Sequence, residues 1–218
     1  MNGFRATDRD LLILEPNLFR DLIFLAQRRI SSSDAAISGT TLQSNSSDFE
    51  AKAVDAGSIV TVDTVPLEVI ERLSPTQLTV SLLRPLSSAT PIPPTPGVNL
   101  TLRVYSFEPQ ITVMHERLLE RLRAVVDDGD TGLDDAALED AVVNPWIPMR
   151  VEALGALQII FEAALDGDAG DPVTELKASL YRERYRFALD RATIRLDLDG
   201  DGLVDATRTL RAGRLVRV

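Results

Sequence analysis

GSIVTVDTVPLEVIERLSPTQLTVSLLR, residues 57–84, holds three apolar runs, 59–62, 67–73 and 78–83. Each is too short for a helix, and turn residues separate them. Leu78, Val80 and Leu82 alternate with polar neighbours, which is the period of a half-buried strand. Asp55-Ala-Gly57 and Ser74-Pro75-Thr76 supply the turns. A fourth run at 100–107 follows the proline-rich segment PLSSATPIPPTPG, residues 85–97, which reads as an extended loop. Four strands in succession predict a small antiparallel barrel or curled sheet.

Outward from this stretch the period changes. Residues 8–30 carry Leu18, Phe19, Leu22, Ile23 and Leu25 at helical spacing, with Asp8 as a cap, Pro16 as an interruption and Arg28 and Arg29 at the end. The Ser-, Thr- and Asn-rich residues 31–49 read as turns. Helical spacing returns at about Gln110 and runs through Val113, Leu118, Leu122, Val125 and Val126. A short helix over 134–143 follows. Asn144-Pro145 and Asp171-Pro172 each read as an N-cap followed by proline at the first helical position. They open helices over 145–165 and 172–190, the latter with Val173, Leu176, Leu180 and Phe187 as its apolar face. The expected fold class is α+β: a helical bundle from residues 1–30 and 110–190, an inserted β module over 31–109, and a C-terminal β-hairpin over 191–218.

Composition narrows the function classes. Of 218 residues 44% are hydrophobic, enough for a buried core, and aromatics are only 5%, so that core is mainly aliphatic. The net charge of -10 argues against phosphate-neutralising DNA binding and against anionic membranes. The absence of cysteine removes disulfides, thiol nucleophiles and Cys-ligated metals. The N-terminus lacks the basic-then-apolar layout of a signal peptide, and no apolar stretch approaches a membrane span, so a cytoplasmic product is expected.

One motif carries metal chemistry. In Asp197-Leu-Asp199-Gly-Asp201-Gly202-Leu203-Val-Asp205, carboxylates recur at loop positions 1, 3, 5 and 9, with glycine at position 6. Calcium takes six to eight oxygens in flexible geometry. The four aspartates, with the Leu203 carbonyl at position 7, form a plausible structural set. Position 12 is Arg208, where an EF-hand carries glutamate, and both flanks read as strands. The nine residues resemble the DxDxDGxxD calcium loop between β-strands of integrin-type propeller repeats. The competing reading is an ion-free Asp-Gly turn.

Other residues are weighed as structural. His115, the sole histidine, is expected on a helix surface, solvated or ion-paired rather than catalytic. The acidic run 127–135 and the trio Asp166, Asp168 and Asp171 read as loops and a cap. Trp146 is expected to anchor a helix start in the core. Arg182, Arg184 and Arg186 are expected on a salt-bridged helix face with Glu183 and Asp190. No catalytic set stands out, and the chain is not expected to be an enzyme.

PWIPMRVEALGALQIIFEAALDG, residues 145–167, followed by LKASLYRERYRFAL, residues 176–189, resembles the head-to-tail adaptor proteins of tailed bacteriophages and related gene-transfer particles. The resemblance covers about half of the chain. It implies a virion neck protein made in the host cytoplasm and assembled as a ring of identical subunits. The portal protein lies on one side and a stopper or tail component on the other. DNA passes nearby without specific binding, and no membrane is involved. The alternative is a calcium-dependent surface or adhesion module.

Overall fold

The computed structural model describes residues 4–22, 25–126, 134–167 and 171–210. Among these residues the fold is α+β, with a closed six-stranded antiparallel barrel, six α-helices and a C-terminal strand pair. Two compact units divide the chain: residues 7–108, and residues 1–6 with 109–218.

In the barrel unit the strands are β1 (Arg28–Ser38), β2 (Thr41–Gln43), β3 (Ile59–Val62), β4 (Val65–Ser74), β5 (Gln77–Ser81) and β6 (Gly97–Tyr105). Their order around the barrel is β1-β2-β5-β4-β3-β6, closing on β1. Closure leaves no sheet edge open. Alternate residues point inward, including Val60 and Val62, Leu67 and Val69, Leu78 and Val80, and Leu102 and Val104. The four strands expected from sequence are therefore present.

Two further expectations are corrected. The Ser-rich stretch contains β1 rather than only turns, because β1 pairs with both β2 and β6, and Ala35 and Ile37 point into the core. Its polar side chains are absorbed locally. Asp34 accepts from the hydroxyls of Ser44 (2.6 Å) and Ser46 (2.8 Å) and from the Ser46 N–H (2.8 Å). The Ser44 hydroxyl first, then Ser46, hold its carboxyl well below the usual carboxylate range.

The N-terminal helical segment is also different. It forms two short helices, α1 (Asp8–Leu14) and α2 (Leu18–Asp21), and belongs to the barrel unit rather than to a bundle with the later helices. Arg28 and Arg29 start β1 instead of ending a helix. Thr7, not Asp8, caps α1, with the Asp10 carboxylate accepting from its N–H and hydroxyl. Glu68 explains the allocation. It points away from the barrel interior between Leu67 and Val69, yet it is fully buried. Arg9 of α1 and Arg84 each donate from Nε to its carboxylate, and the Arg84 N–H donates as well (3.1 Å). A buried carboxylate without such partners would be costly, so α1 is held against the barrel. Phe19 of α2 packs edge-on against Phe107, with ring centroids 5.3 Å apart.

The other unit contains α3 (Glu108–Val126, counted here from Pro109), α4 (Asp135–Asp140), α5 (Trp146–Gly167), α6 (Pro172–Arg191), β7 (Thr193–Leu196) and β8 (Ala206–Thr209). Residues 151–157 of α5 are all buried. Helix α6 runs antiparallel to α5. Tyr181 stacks on Phe161 with centroids 5.3 Å apart and planes 2° from parallel, and Tyr185 lies against Gly155. A Cβ at Gly155 would collide with Met114 of α3 and press on Tyr185, so glycine sets the close approach there. Asp171 caps α6 as expected, its carboxylate accepting from the N–H groups of Val173 and Thr174 (both 3.1 Å). Asn144 does not cap α5. Its side chain donates to the Thr193 carbonyl and accepts from the Arg195 N–H (both 2.9 Å), covering an edge of β7.

The face by which α6 is buried differs from the expected one. Thr174, Ala178, Tyr181 and Leu189 are buried, whereas Val173, Leu176, Leu180 and Phe187 are exposed. The flat Tyr181–Phe161 stack and the small Ala178 permit a closer seat on α5 than the Leu176/Phe187 row would. Trp146 is likewise exposed rather than a core anchor, and its neighbour Ile147 packs against the core instead.

Candidate metal centre

The C-terminal loop is shaped by its two strands. β7 and β8 pair from Thr193 opposite Thr209 to Leu196 opposite Ala206, as the sequence led us to expect. The Asp205 N–H donates to the Leu196 carbonyl (2.9 Å) and closes the base of the loop. Gly200 and Gly202 take φ values of +77° and +85°, a left-handed conformation that glycine adopts without strain.

Backbone N–H groups turn the carboxylates inward. Asp197 accepts from Gly200 and Gly202 (both 2.8 Å), one bond to each oxygen. Asp205 accepts from Leu198 (2.6 Å) and Asp199 (3.3 Å) through Oδ2. Asp199 and Asp201 each accept from the residue two positions on. As a result one oxygen from each of Asp197, Asp199 and Asp205 lies within 4.8 Å of the others. Two oxygens bound to one calcium at about 2.3–2.6 Å lie no more than about 5 Å apart, so this spacing fits a shared ion.

Of the four expected carboxylates, the structure brings three together, and Asp201 stands outside the trio. The fifth expected ligand is a main-chain oxygen, that of Leu203. Arg208 is turned away and donates to the Val125 carbonyl of α3 (3.0 Å). Among the described residues, no other group of three His, Asp or Glu side chains converges in this way. The N–H bonds also describe a loop that can hold its shape as a turn.

The remaining candidates fall differently. Residues 127–133 of the acidic run and Asp168 lie outside the described residues, as does the Asp166 side chain; Asp134 caps α4 by accepting from the Ala137 N–H (2.9 Å). Arg182 is salt-bridged, but to Glu162 of α5 (2.8 Å) rather than to the neighbouring acids of α6.

His115 is not on a surface. It is 7% exposed, with Nε2 3.0 Å from Glu139 and Nδ1 3.4 Å from Glu152, which is itself fully buried. The Phe4 ring tilts over it at 5.3 Å, and the Ala6 N–H donates to Glu152 (3.2 Å). Glu152 Oε1 has no hydrogen-bond partner. The spacing of His115 within α3 carries the apolar period of Ile111, Leu118 and Leu122 and could have signalled burial. The barrel unit has an open cleft of about 260 Å³ lined by Thr7, Asp8, Arg29, Asp55, Ser58 and Glu108. Burial pushes the Asp8 carboxyl up to about 6 although the Phe107 N–H donates to it (2.8 Å).

Compared with known proteins, the chain matches no family model, no curated protein and no solved structure.

The His115 cluster makes the helical unit sensitive to pH. Hydrogen bonding to Glu152 is the largest cause raising the His115 pKa above 6.5, and Glu139 adds to it. Burial raises Glu152 above 4.5, against the opposing effects of His115, the Ala6 N–H and Arg5. A base with a raised native pKa stabilises the fold fully below 6.5 and loses that contribution as pH rises through the native value. A buried acid with a raised pKa destabilises the fold progressively above 4.5, so both effects have the same sign. Thermal unfolding followed by the single tryptophan, Trp146, is expected to show a lower midpoint at about pH 9 than at about pH 6. The Glu152→Gln variant is expected to flatten this dependence.

Proposed function

We propose that this chain is a structural assembly protein, the head-to-tail adaptor of a tailed-bacteriophage neck, which docks on the portal ring and joins it to the next neck or tail component. The observation that carries this reading is α6. It spends one apolar face on α5 and leaves a second, four-residue apolar row exposed. Several large apolar side chains exposed on one helix face are a mark of protein docking. The resemblance of residues 145–167 and 176–189 supplies the kind of partner. In this reading α3–α6 act as a helical bundle facing the portal, and copies form a ring. The acidic surface of a chain with net charge -10 lets DNA pass without sticking.

We also infer that the loop 197–205 binds calcium through Asp197, Asp199 and Asp205, with Asp201 and the Leu203 carbonyl as further oxygens. The ion would neutralise crowded carboxylates and staple the hairpin, a structural role. This loop is also what favours the second reading, a calcium-dependent surface module.

Immunogold electron microscopy of pelleted particles tests the first reading. Label confined to the point where head meets tail is expected, and label on cells with none on particles would transfer the case to the surface module. For the ion, calcium is expected to raise the melting temperature of the parent chain by differential binding to the folded state. Asp197→Asn with Asp199→Asn is expected to abolish that rise, and Asp201→Asn alone to reduce it less. Equal calcium shifts in parent and double variant would contradict the assignment.

A further inference from the structure

In the barrel unit, every residue from Thr90 to Pro96 is either a proline or the residue before one. Proline fixes φ near about -65°, and the residue before a proline is pushed out of the helical region toward extended backbone. The polyproline II helix meets both demands, with three residues per turn and a rise of about 3.1 Å. Burial follows that period. Pro94 is buried, and Pro91 and Gly97 are half-buried, whereas Ile92, Pro93, Thr95, Pro96, Val98 and Asn99 are exposed. One row of the segment therefore lies on the barrel and two rows face solvent. Both ends are fixed. The Ile92 N–H donates to the Ser81 hydroxyl (2.7 Å), the Leu82 N–H donates to the Ile92 carbonyl (2.9 Å), and Gly97 pairs with Ile37 at the start of β6. The exposed pairs Ile92-Pro93 and Thr95-Pro96 stand one turn apart, so they present the same face. Residues 85–102 hold no charged side chain in a chain that is 26% charged, yet Leu86 and Val98 are 66% and 72% exposed.

We propose that residues 91–98 are a preformed polyproline II ligand that docks into an aromatic-lined groove of another protein. The chemistry of the segment selects that partner. Of Pro93, Pro94, Thr95 and Pro96 only Thr95 has an N–H to give, so pairing with a foreign β-strand lacks its donors. What the segment offers is flat proline rings and free carbonyls. Tyr and Trp side chains match both, with ring faces for the prolines and an O–H or N–H for the carbonyls. A segment already held extended loses little conformational freedom on binding. Nucleic acid and anionic lipid find no basic side chain here. A second copy suits the segment less, because among the described residues the aromatic side chains left exposed are Trp146 and Phe187 alone. This surface lies in the barrel unit and is independent of the adaptor role proposed for α3–α6.

The test is nuclear magnetic resonance of the isotope-labelled full chain, titrated with a panel of SH3, WW and EVH1 domains. At least one domain is expected to shift the Ile92, Thr95, Gly97 and Val98 amide signals to saturation and leave those of α6 in place. Pro93→Ala with Pro96→Ala is expected to weaken that binding about tenfold or more. Both prolines are exposed, so the amide spectrum outside the segment should stay that of the parent barrel. Leu73→Ser, at a position 51% exposed elsewhere on the barrel, is expected to bind as the parent does. The proposal is overturned by no saturable shift with any domain, or by binding that the double proline variant leaves undiminished. Shifts of the same amides with rising concentration of the chain alone would assign the segment to a second copy and overturn it equally.

Discussion

Helix α5 is buried along residues 151–157 without a polar side free, and the rest of its unit follows from covering it. An amphipathic surface helix needs cover on one stripe only; a helix buried all round needs it on every side. Met114 of α3 and Tyr185 of α6 meet over Gly155, where a Cβ would press on both. Glu152 falls within the same run, so a carboxylate enters the core. Its environment is then built from His115 and the Ala6 N–H, with Glu139 on the far side of the imidazole. Covering α5 uses one face of α6, which leaves the Leu176/Phe187 row available to a neighbour. Burying such a side chain fully is worth roughly 1.5–3 kcal/mol, so the row is a substantial reserve of binding energy.

The barrel unit shows a related constraint. Glu68 lies on the outer side of β4, where a strand residue ordinarily meets water, and is enclosed instead by Arg9 and Arg84. Arg9 Nη2 donates to the Arg84 carbonyl (2.8 Å) and Arg84 Nη1 to the Ala89 carbonyl (2.6 Å). Parting a buried ion pair leaves an uncompensated charge, which disfavours arrangements that separate its members. Here the arrangement chosen is α1 against the barrel. Buried charges in both units are thus tied into the fold by named partners.

The sequence was most legible where local rules and tertiary demand agree. β3 and β7 begin and end where alternation and turn residues place them, and Asp171-Pro172 opens α6 by direct capping. The aspartate spacing in 197–205 located the loop, but not that Asp201 would fall outside the convergent trio. Reading failed where context overrode propensity. Ser31 and Ser32 are turn formers by composition, yet pairing with Arg103 and Leu102 of β6 makes them strand. Asn144 has the spacing of a cap, but an edge of β7 competes for its amide. α6 has apolar residues on two faces, and periodicity alone cannot rank them; the choice depends on Gly155 and Phe161 of another helix. Trp146 and His115 were misplaced for the same reason, since burial is decided by neighbours distant in sequence.

The second apolar face of α6, exposed in the chain itself, is the surface we propose to be covered on assembly. Carbene footprinting with residue-level mass spectrometry compares the dilute chain with the assembled form. Leu176 and Phe187 are expected to be labelled in the dilute chain and protected on assembly, while Tyr181 and Leu189 stay protected in both. Leu176 and Phe187 protected in the dilute monomer, or labelled equally in both forms, would contradict it.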